Sequence, residues 1–366
     1  MKGKKFLIVH LEANGDCLMV TAIARQIKHD YPGSRVIWMI SEKCKQVIAH
    51  NPFVDEIRIF AYTKEEPVVA LWTRLKQETE RQKQQGLYDE IFYTQIHTDN
   101  LYHYDGTTRT STFRAYPHKI TVPVSPSLVL TEEETQRVKI FAEKHKLASY
   151  KNVLLVECAP SSGQSKFNME TALQIGTALV EQDPEMVYIM STHITFQSPH
   201  ARIIDGSVLT FRENAELSKY CTFLLGCSSG ITWLLTSEWA KKIPSIQILN
   251  PEARFFQFAS VKYDFEYWKL DHRHIIESTD AEADHIIKMV TAAIKDFPLA
   301  YKLYNENLAP NIDALLYNIE FLLGQKRVKQ AFLTFLYFSE RNKNKLKILY
   351  NVSRHLVKLV VKKIVN

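Results

Sequence analysis

The chain has 366 residues, of which 46% are hydrophobic, and this content excludes intrinsic disorder and is enough for two α/β domains. No apolar run reaches the ~18 residues of a membrane-spanning helix, and the five scattered cysteines form no CxxC pair, which predicts a cytoplasmic protein without structural zinc. The net charge of +6 belongs to one end, because residues 341–366 hold eight Lys or Arg and no acid, leaving −2 on the rest.

Short apolar strands alternate with helices in the first half of the chain, as in a parallel α/β sheet. We predict strands at 5–10, 35–40, 57–60 and 90–93, and helices at 68–85, at 131–145 and around Met19 to Ile27. Residues 94–126 are rich in Thr, Tyr, His and Pro without periodicity, which predicts long loops at a cleft or over a partner surface.

The same alternation restarts in the second half, with strands predicted at 152–156, 186–190, 223–225 and 245–249 and a helix at 169–180. We therefore predict two Rossmann-like βα domains that face each other across a cleft. Residues 1–150 form the first domain, 151–300 form the second, and 301–366 form a helical extension.

A polar loop, residues 11–17, joins the first strand to its helix and contains the first candidate site. Such a loop lies at the carboxyl end of a parallel strand, where open α/β sheets bind their ligands. Gly15 permits close approach of a ligand, and Asp16 either caps the helix or projects its carboxylate into the cleft. The GxGxxG and GxxxxGK[ST] fingerprints of dinucleotide and P-loop sites are absent from the sequence.

Two loops of the second half combine small residues, hydroxyls and one cation. Residues 157–167 include Ser162 and Lys166, which suit an anion such as a diphosphate, although an ordinary surface loop has the same composition. Residues 225–232 open a helix, where hydroxyls and glycine either bind a phosphate or ribose or serve only to cap and pack that helix. The candidates in this loop are Ser228, Ser229, Gly230 and Thr232.

The order of these three loops resembles that of the heptosyltransferase family of inverting glycosyltransferases, the ninth in the usual sequence classification. Residues 6–60 are similar to the start of that family, with Gly15-Asp16, then Tyr31-Pro32-Gly33, then Asn51-Pro52-Phe53-Val54-Asp55-Glu56. About 100 residues of the second half are also similar. There Lys166-Phe167 stands in place of the family's Lys-Trp or Arg-Trp, and residues 225–230 resemble its DSG or DTG donor loop.

This resemblance implies a GT-B fold that is active without metal or other cofactor. The second domain would hold a nucleotide-sugar donor, and the first would hold the acceptor, a bacterial surface glycan or glycolipid such as a lipopolysaccharide core. Asp16 would remove the proton of the acceptor hydroxyl, and Lys166 would stabilise the charge on the departing diphosphate.

Two departures from the family's pattern concern the donor. Ser228 stands where the family has Asp, and Trp233 stands where it has His, two residues that help to hold the ADP of ADP-heptose. The sequence therefore predicts transfer of heptose or of another sugar, from ADP-heptose or from a different nucleotide sugar. Trp233 either stacks on a ligand or belongs to the core. The alternative function is a non-catalytic nucleotide-sugar-binding or scaffold protein, against which the presence of Asp16 and Lys166 argues.

Four residues of the irregular stretch offer aromatic faces and guanidinium groups to an acceptor, or are ordinary loop residues. They are Tyr102, Tyr104, Arg109 and Arg114.

The basic end of the chain has the pattern of an amphipathic helix. Its apolar residues at helical spacing are Leu346, Leu349, Val352, Leu356, Val360 and Ile364, and its basic residues include Lys343, Lys347, Arg354, Lys358 and Lys362. This helix either packs on the body or attaches to the anionic inner face of the cytoplasmic membrane, where a lipid-linked acceptor would lie. The sequence has no recognition motif for nucleic acid, which we do not expect as a partner.

Overall fold

The computed structural model describes residues 3–63, 65–96, 99–250, 252, 259–342 and 344–365, with backbone alone after Lys358. Within this part of the chain there are two parallel sheets flanked by helices, followed by a group of helices at the carboxyl end. The first sheet lies before residue 150 and the second after it, while the exact domain limits stay a prediction.

The first sheet has four parallel strands in the order β3-β2-β1-β4. The strands are β1 (Lys5–Val9), β2 (Arg35–Ile40), β3 (Glu56–Ile59) and β4 (Glu90–Tyr93). The helices of this half are α1 (Asn14–Asp30), α2 (Val68–Gln84), α3 (Thr108–Phe113) and α4 (Glu132–Lys144). All four predicted strands are confirmed to within one residue at each end. Phe6 to Val9 are fully buried, as expected of a central strand with helices on both faces.

The second sheet has six parallel strands in the order β10-β9-β8-β5-β6-β7. They are β5 (Asn152–Val156), β6 (Met186–Met190), β7 (Ile203–Asp205), β8 (Phe223–Gly226), β9 (Ser245–Ile248) and β10 (Ile275–Ser278). Its helices are α5 (Met169–Gln182), α6 (Glu213–Leu217), α7 (Gly230–Leu234), α8 (Val261–Trp268) and α9 (Ala283–Lys295). The two outer strands, β7 and β10, are not predicted from the sequence because each has only two consecutive apolar residues.

Four helices form the carboxyl end of the chain: α10 (Phe297–Tyr304), α11 (Ile312–Gly324), α12 (Val328–Arg341) and α13 (Lys345–Val365). The last of these confirms the helix predicted for the basic tail. Ile348 and Val352 on α13 are buried in an apolar cluster that also contains Leu322 of α11 and Phe338 of α12.

The stretch predicted as long loops contains the buried helix α3, so the prediction of open loops is wrong there. Two of its buried polar residues, Ser111 and Thr112, bond their hydroxyls to backbone carbonyls four residues earlier. Ser111 donates to the Thr107 carbonyl at 2.5 Å, and Thr112 donates to the Thr108 carbonyl at 2.8 Å. A helix made largely of polar residues has no apolar period that a sequence reading can detect.

The two halves of the chain share a continuous core. The apolar cluster around α1 includes Leu234 and Phe265 from the second half. On one side of this junction, Arg25 forms a bidentate ion pair with Glu238, with both nitrogen–oxygen distances at 2.8 Å. On the other side, Arg212 donates to the carbonyl of Ala49 at 2.7 Å. The carboxyl ends of the two sheets are thereby held against each other.

Candidate functional site

Each sheet has a point at which the order of its strands reverses direction, and ligands of open α/β sheets bind in the crevice beside that point. In the first sheet this point lies between β1 and β4, and in the second it lies between β5 and β8. The three loops selected from the sequence are the ones that follow β1, β5 and β8. The structure therefore places all three loops at these points of reversal, the switch points of the two sheets.

The loop after β1 is held by the loop after β4. The side-chain oxygen Oε1 of Gln95 accepts hydrogen bonds from the backbone N–H of Leu11 at 2.9 Å and of Glu12 at 3.1 Å. Buried His10 contacts the hydroxyl of Thr94 at 3.0 Å through Nδ1, and burial lowers the pKa of His10 to about 3. A neutral imidazole and a fixed loop thus support the first turn of α1.

Asp16 lies in the first turn of α1 and does not cap it. The N-cap position is Ala13, which has no side-chain hydrogen bond to the helix. Within the described residues Asp16 accepts no hydrogen bond and forms no ion pair, although it is only partly exposed. Removal from water raises its pKa from 3.8 to about 7, and this effect exceeds the opposing attraction of the positive end of the helix. Asp16 is therefore a carboxyl group that changes its charge near neutral pH.

The loop after β8 is organised around Glu157, a residue to which the sequence reading gave no role. Its buried carboxylate accepts hydrogen bonds from the backbone N–H of Ile231 at 2.6 Å and the hydroxyl of Thr232 at 2.6 Å. The N–H of Ser229 also donates to it at 3.2 Å. Glu157 thus occupies the amino end of α7, for which the sequence left open either binding of a phosphate or ribose or capping and packing of the helix. Burial raises the pKa of Glu157, while these hydrogen bonds favour its ionised form.

Two of the predicted donor residues, Ser228 and Thr232, are buried inside this loop. Ser228 has a positive φ of 50° and donates its hydroxyl to the carbonyl of Ala259. Thr232 uses its hydroxyl for Glu157 and for Gln247, whose oxygen is 3.0 Å away. Both hydroxyls therefore form hydrogen bonds within the protein, whereas the sequence predicted that they would contact the donor.

The other predicted donor groups lie nearer the surface. Ser229 is partly exposed, and its side chain makes no capping hydrogen bond. Gly230 is also partly exposed, whereas Ser162 and Lys166 are exposed on the loop after β5. The ammonium of Lys166 lies 3.2 Å from the carboxylate of Glu252, and both side chains are more than half exposed.

Phe167 anchors the lysine loop. Its ring is fully buried in the core of the second sheet, and its carbonyl accepts a hydrogen bond from Ala159 at 2.8 Å. Asn250, after β9, donates its side chain to the carbonyl of Gly163 at 3.0 Å. Lys166 therefore stands on a loop fixed at both ends, with its charged group directed to solvent.

The Asp16 loop and the loop after β8 touch each other. A Cβ atom on Gly15 would lie 3.2 Å from Cδ1 of Trp233, and one on Gly230 would lie 3.7 Å from the Cβ of Asn14. The Cβ on Gly230 would also lie 2.9 Å from Phe211, closer than real contacts allow. Trp233 is buried where the two loops meet. Because Gly15 and Gly230 have no side chains, the two loops can approach this closely.

The four aromatic and arginine residues considered as acceptor contacts lie in the interior. Tyr104 and Arg109 are buried, and Nε of Arg109 lies 3.2 Å from the carboxylate of Asp264. Arg114 forms an ion pair of 2.9 Å with the buried Asp105. Tyr102 is partly buried beside the carboxyl-terminal helices. These residues serve packing and ion pairing, and the Arg109–Asp264 pair joins the two halves.

Neither a metal cluster nor a membrane span is found in the part of the chain that the structure describes. No group of three or more His, Cys, Asp or Glu there is placed to hold a metal ion. No helix there is both long and apolar enough to cross a membrane.

Comparison with solved structures identifies the fold. A glycosyltransferase of family 9 from Veillonella parvula matches with a TM-score of 0.51 and 11% identity, over 82% of this chain and 94% of that one. E. coli ADP-heptose lipopolysaccharide heptosyltransferase II matches with a TM-score of 0.47 and 12% identity, over 80% and 99% of the chains. A UDP-N-acetylglucosamine 2-epimerase matches with a TM-score of 0.45 and 10% identity, over 89% and 97%. No protein-family model and no curated protein matches the sequence.

The likeness to the family 9 enzyme confirms the predicted α/β fold of GT-B type with two parallel sheets. At 11% identity it shows the arrangement of the chain alone. The reaction has to be argued from the site.

Proposed function

We propose that this chain is an inverting, metal-independent glycosyltransferase. It moves a sugar, heptose or another, from a nucleotide-sugar donor to a hydroxyl of a bacterial surface glycan or glycolipid. The observation that carries this proposal is Asp16, which lies at the switch point of the first sheet, on a helix that contacts α7 of the second. Its carboxylate has no hydrogen-bond partner among the described residues, and its pKa is raised to about 7. The GT-B fold of the family 9 enzyme is consistent with it.

In the proposed reaction Asp16 accepts the proton of the acceptor hydroxyl while the oxygen forms a bond to the anomeric carbon of the donor. The bond from that carbon to the diphosphate breaks with its electron pair, and the nucleoside diphosphate departs from the opposite face. A single displacement of this kind inverts the anomeric configuration. A base with a pKa of about 7 is half ionised at neutral pH and suits this step.

Lys166 is the proposed partner of the leaving diphosphate. It is exposed on an anchored loop at the switch point of the second sheet, and its present partner Glu252 is itself mostly exposed. An exposed ion pair contributes little stability, so the ammonium can exchange Glu252 for a phosphate at small cost. Its positive charge would stabilise the departing diphosphate without a metal.

The engagement of Ser228 and Thr232 within the loop favours a donor held differently from ADP-heptose, and it keeps a non-catalytic nucleotide-sugar-binding protein as the second candidate. The two candidates share a ligand and differ in chemistry. Measured transferase activity, and its dependence on Asp16, distinguishes the two candidates.

A panel of nucleotide sugars tests the proposal. We expect one donor to raise the thermal unfolding temperature of the full chain in a saturable way, since a ligand bound to the native state stabilises it. In the presence of EDTA that donor should release its nucleoside diphosphate when a glycolipid acceptor is added. Stabilisation without release would establish the non-catalytic alternative, and loss of release restored by Mg²⁺ or Mn²⁺ would contradict metal independence.

We further propose that the protein works at the cytoplasmic face of an anionic membrane. The part of α13 with described side chains exposes Leu346, Tyr350 and Val357 together with Lys347, Arg354 and Lys358. Apolar and basic groups on one exposed surface are typical of helices that bind anionic lipid. Lys343 and the side chains of Val360, Lys362 and Ile364, which belong to the same predicted pattern, lie outside the described residues.

A further inference from the structure

Glu12 is fixed at the switch point of the first sheet, in the same loop after β1 as Asp16. Its main chain is held on both sides by the amide of Gln95, which accepts from its N–H at 3.1 Å and donates to its carbonyl at 2.5 Å. The hydroxyl of Tyr62, in the loop after β3, donates to Oε1 of Glu12. Glu12 is therefore held from two neighbouring loops.

Tyr62 is itself anchored in the protein. Its ring is partly buried against the apolar cluster that contains Leu11, Phe60 and Trp72. Burial raises the pKa of Tyr62, and the Glu12 carboxylate adds to this rise, so the phenol keeps the proton that it donates. A surface glutamate ordinarily samples several rotamers, whereas the contact with Tyr62 removes this freedom from Glu12 before a ligand binds.

One oxygen of the Glu12 carboxylate is open to a ligand. The side chain is partly exposed, and Oε2 accepts no hydrogen bond from the described residues. Oε2 is not one of the enclosed polar atoms that lack a partner in that part of the chain, so it has surface that faces solvent. Because a carboxylate can only accept hydrogen bonds, the group that completes Oε2 has to be a donor.

The Glu12 and Asp16 carboxylates are near enough to act on the same buried thiol. Burial raises the pKa of Cys17, and Cys44, Asp16 and Glu12 add to this rise. A sugar ring carries hydroxyls on neighbouring carbon atoms. A ring that offers one hydroxyl to Asp16 can therefore offer a second one to Glu12.

We propose that Glu12 is a specificity-determining residue of the acceptor site and that it selects an uncharged sugar ring. This inference rests on the proposed function, because it concerns the acceptor that Asp16 deprotonates. Oε2 of Glu12 accepts a hydrogen bond from a second hydroxyl of the acceptor, and Tyr62 positions the carboxylate. An acidic sugar would bring a second negative charge to this place, and that repulsion disfavours its binding.

Methyl glycosides test this assignment through their binding to the full chain, measured by ligand-observed NMR. The neutral probes are the methyl glycosides of glucose, galactose and mannose, and each is paired with the methyl glycoside of its uronic acid. At about pH 6 Asp16 is mostly protonated, because its pKa is about 7, so discrimination by charge reports Glu12. At least one neutral glycoside should bind more tightly than its acid. Absence of binding by all of them, or preference for the acids, would overturn the proposal.

Glu12→Gln keeps the shape of the side chain, but Tyr62 then holds the amide oxygen and an NH₂ group replaces Oε2. This variant should bind the neutral glycoside about five- to tenfold more weakly and the acid no more weakly, so the discrimination falls. Glu65→Gln, at an exposed position in the loop after β3, is the control and should change neither affinity. Equal affinities in the Glu12 and Glu65 variants would overturn the proposal.

Tyr62→Phe tests the positioning of the carboxylate separately. It removes the hydroxyl that holds Glu12, so it should weaken the neutral glycoside about threefold while the discrimination against the acid remains. If Glu12→Gln failed to fold, unchanged affinity in Tyr62→Phe would still overturn the proposal.

This inference and the proposed function fail in different ways. Glycoside binding that depends on Glu12 in a protein without transferase activity would keep the sugar site and remove the proposed reaction. Transfer with an acceptor KM that is the same in Glu12→Gln would keep the reaction and remove the role of Glu12.

Discussion

At the scale of single residues, Asp16 is an unfavourable choice for stability alone. Its carboxylate is removed from water and has no partner in the part of the chain that the structure describes, whereas an acid in the first turn of a helix is ordinarily well solvated and stabilising. Residues that are strained or poorly solvated in this way are typical of functional sites. The structure removes the capping interpretation that the sequence had left open, and the raised pKa of Asp16 is consistent with the proposed proton transfer.

The first prediction concerns the activity and pH dependence of Asp16. Asp16→Asn should lower kcat at least about 100-fold while leaving donor affinity nearly unchanged, because the amide keeps the shape but cannot accept the proton. In the unmodified chain kcat/KM should rise with pH through about 7, since the base must be ionised. Initial rates between acid and alkaline pH check both statements. A flat profile would contradict the assignment of Asp16 as the base.

The second prediction is that the same substitution stabilises the protein at alkaline pH. The folded-state pKa of Asp16 is raised from 3.8 to about 7, so the ionised carboxylate opposes folding increasingly as pH rises across that interval. Asp16→Asn should therefore raise the free energy of unfolding by about 2–4 kcal/mol at pH 8 and by nothing below about pH 4. Urea unfolding at the two pH values measures this. Equal stabilities at pH 8 would mean that Asp16 is well solvated.

The third prediction concerns Lys166. Lys166→Ala should weaken binding of nucleoside diphosphate about tenfold and slow transfer as well, because the phosphate charge is present in both the ground state and the transition state. Lys151→Ala is the matched control, since Lys151 is exposed just before the amino end of β5 while Lys166 follows its carboxyl end. Calorimetric titration compares the two. Unchanged affinity in the Lys166 variant would make it an ordinary surface residue.

At the scale of secondary-structure elements, the sequence predicts the central strands well because they are continuous apolar runs of β-forming residues. It predicts α3 poorly because that helix is mostly polar, and the outer strands poorly because each has only two consecutive apolar residues. The position of the loop after β8 can be predicted from the sequence, but the acceptor to which its backbone N–H groups donate cannot. Glu157 takes them, and only the pairing of β5 with β8 brings that carboxylate to α7.

The fourth prediction follows from this use of Glu157. Glu157→Gln should destabilise the protein by about 2–4 kcal/mol, because an amide can accept fewer of the donors at the amino end of α7 and brings an N–H₂ group that lacks an acceptor. Glu170→Gln is the control, at an exposed position in the first turn of α5. Denaturant unfolding measures both variants. If Glu157→Gln were neutral, α7 would be held by packing alone.

At the scale of the whole molecule, residues distant in the sequence fasten the two sheets and the terminal helices together. Arg341 of α12 donates to the hydroxyl of Thr107 at 2.6 Å and to the carbonyl of Tyr263 at 2.6 Å, one in each half. The sequence reading assigned Arg341 only to the basic tail. Because its side chain is nearly fully buried at this junction, deletion of residues 341–366 would remove a structural contact along with the tail.

The last prediction concerns membrane attachment. It is tested by reversing the charge of exposed residues on α13, because deleting the tail would also remove the structural contact of Arg341. Ile348 and Val352 pack α13 onto α11 and α12, so the helix stays docked while its exposed side remains accessible. Reversing Lys347, Arg354 and Lys358 to Glu should leave the fold intact and remove about 3 kcal/mol or more of attraction to an anionic bilayer, a more than hundredfold loss of affinity.

Sedimentation with vesicles of anionic lipid checks this prediction. The unmodified chain should sediment at an ionic strength of about 0.01 M and be released at about 1 M, since screening shortens the range of the attraction. The matched control reverses three exposed lysines of the body, Lys139, Lys144 and Lys151. Because the control has the same net charge as the tail variant, a difference between them reports the position of the charges. Equal binding of the two variants, or equal binding to neutral vesicles, would assign α13 to packing alone.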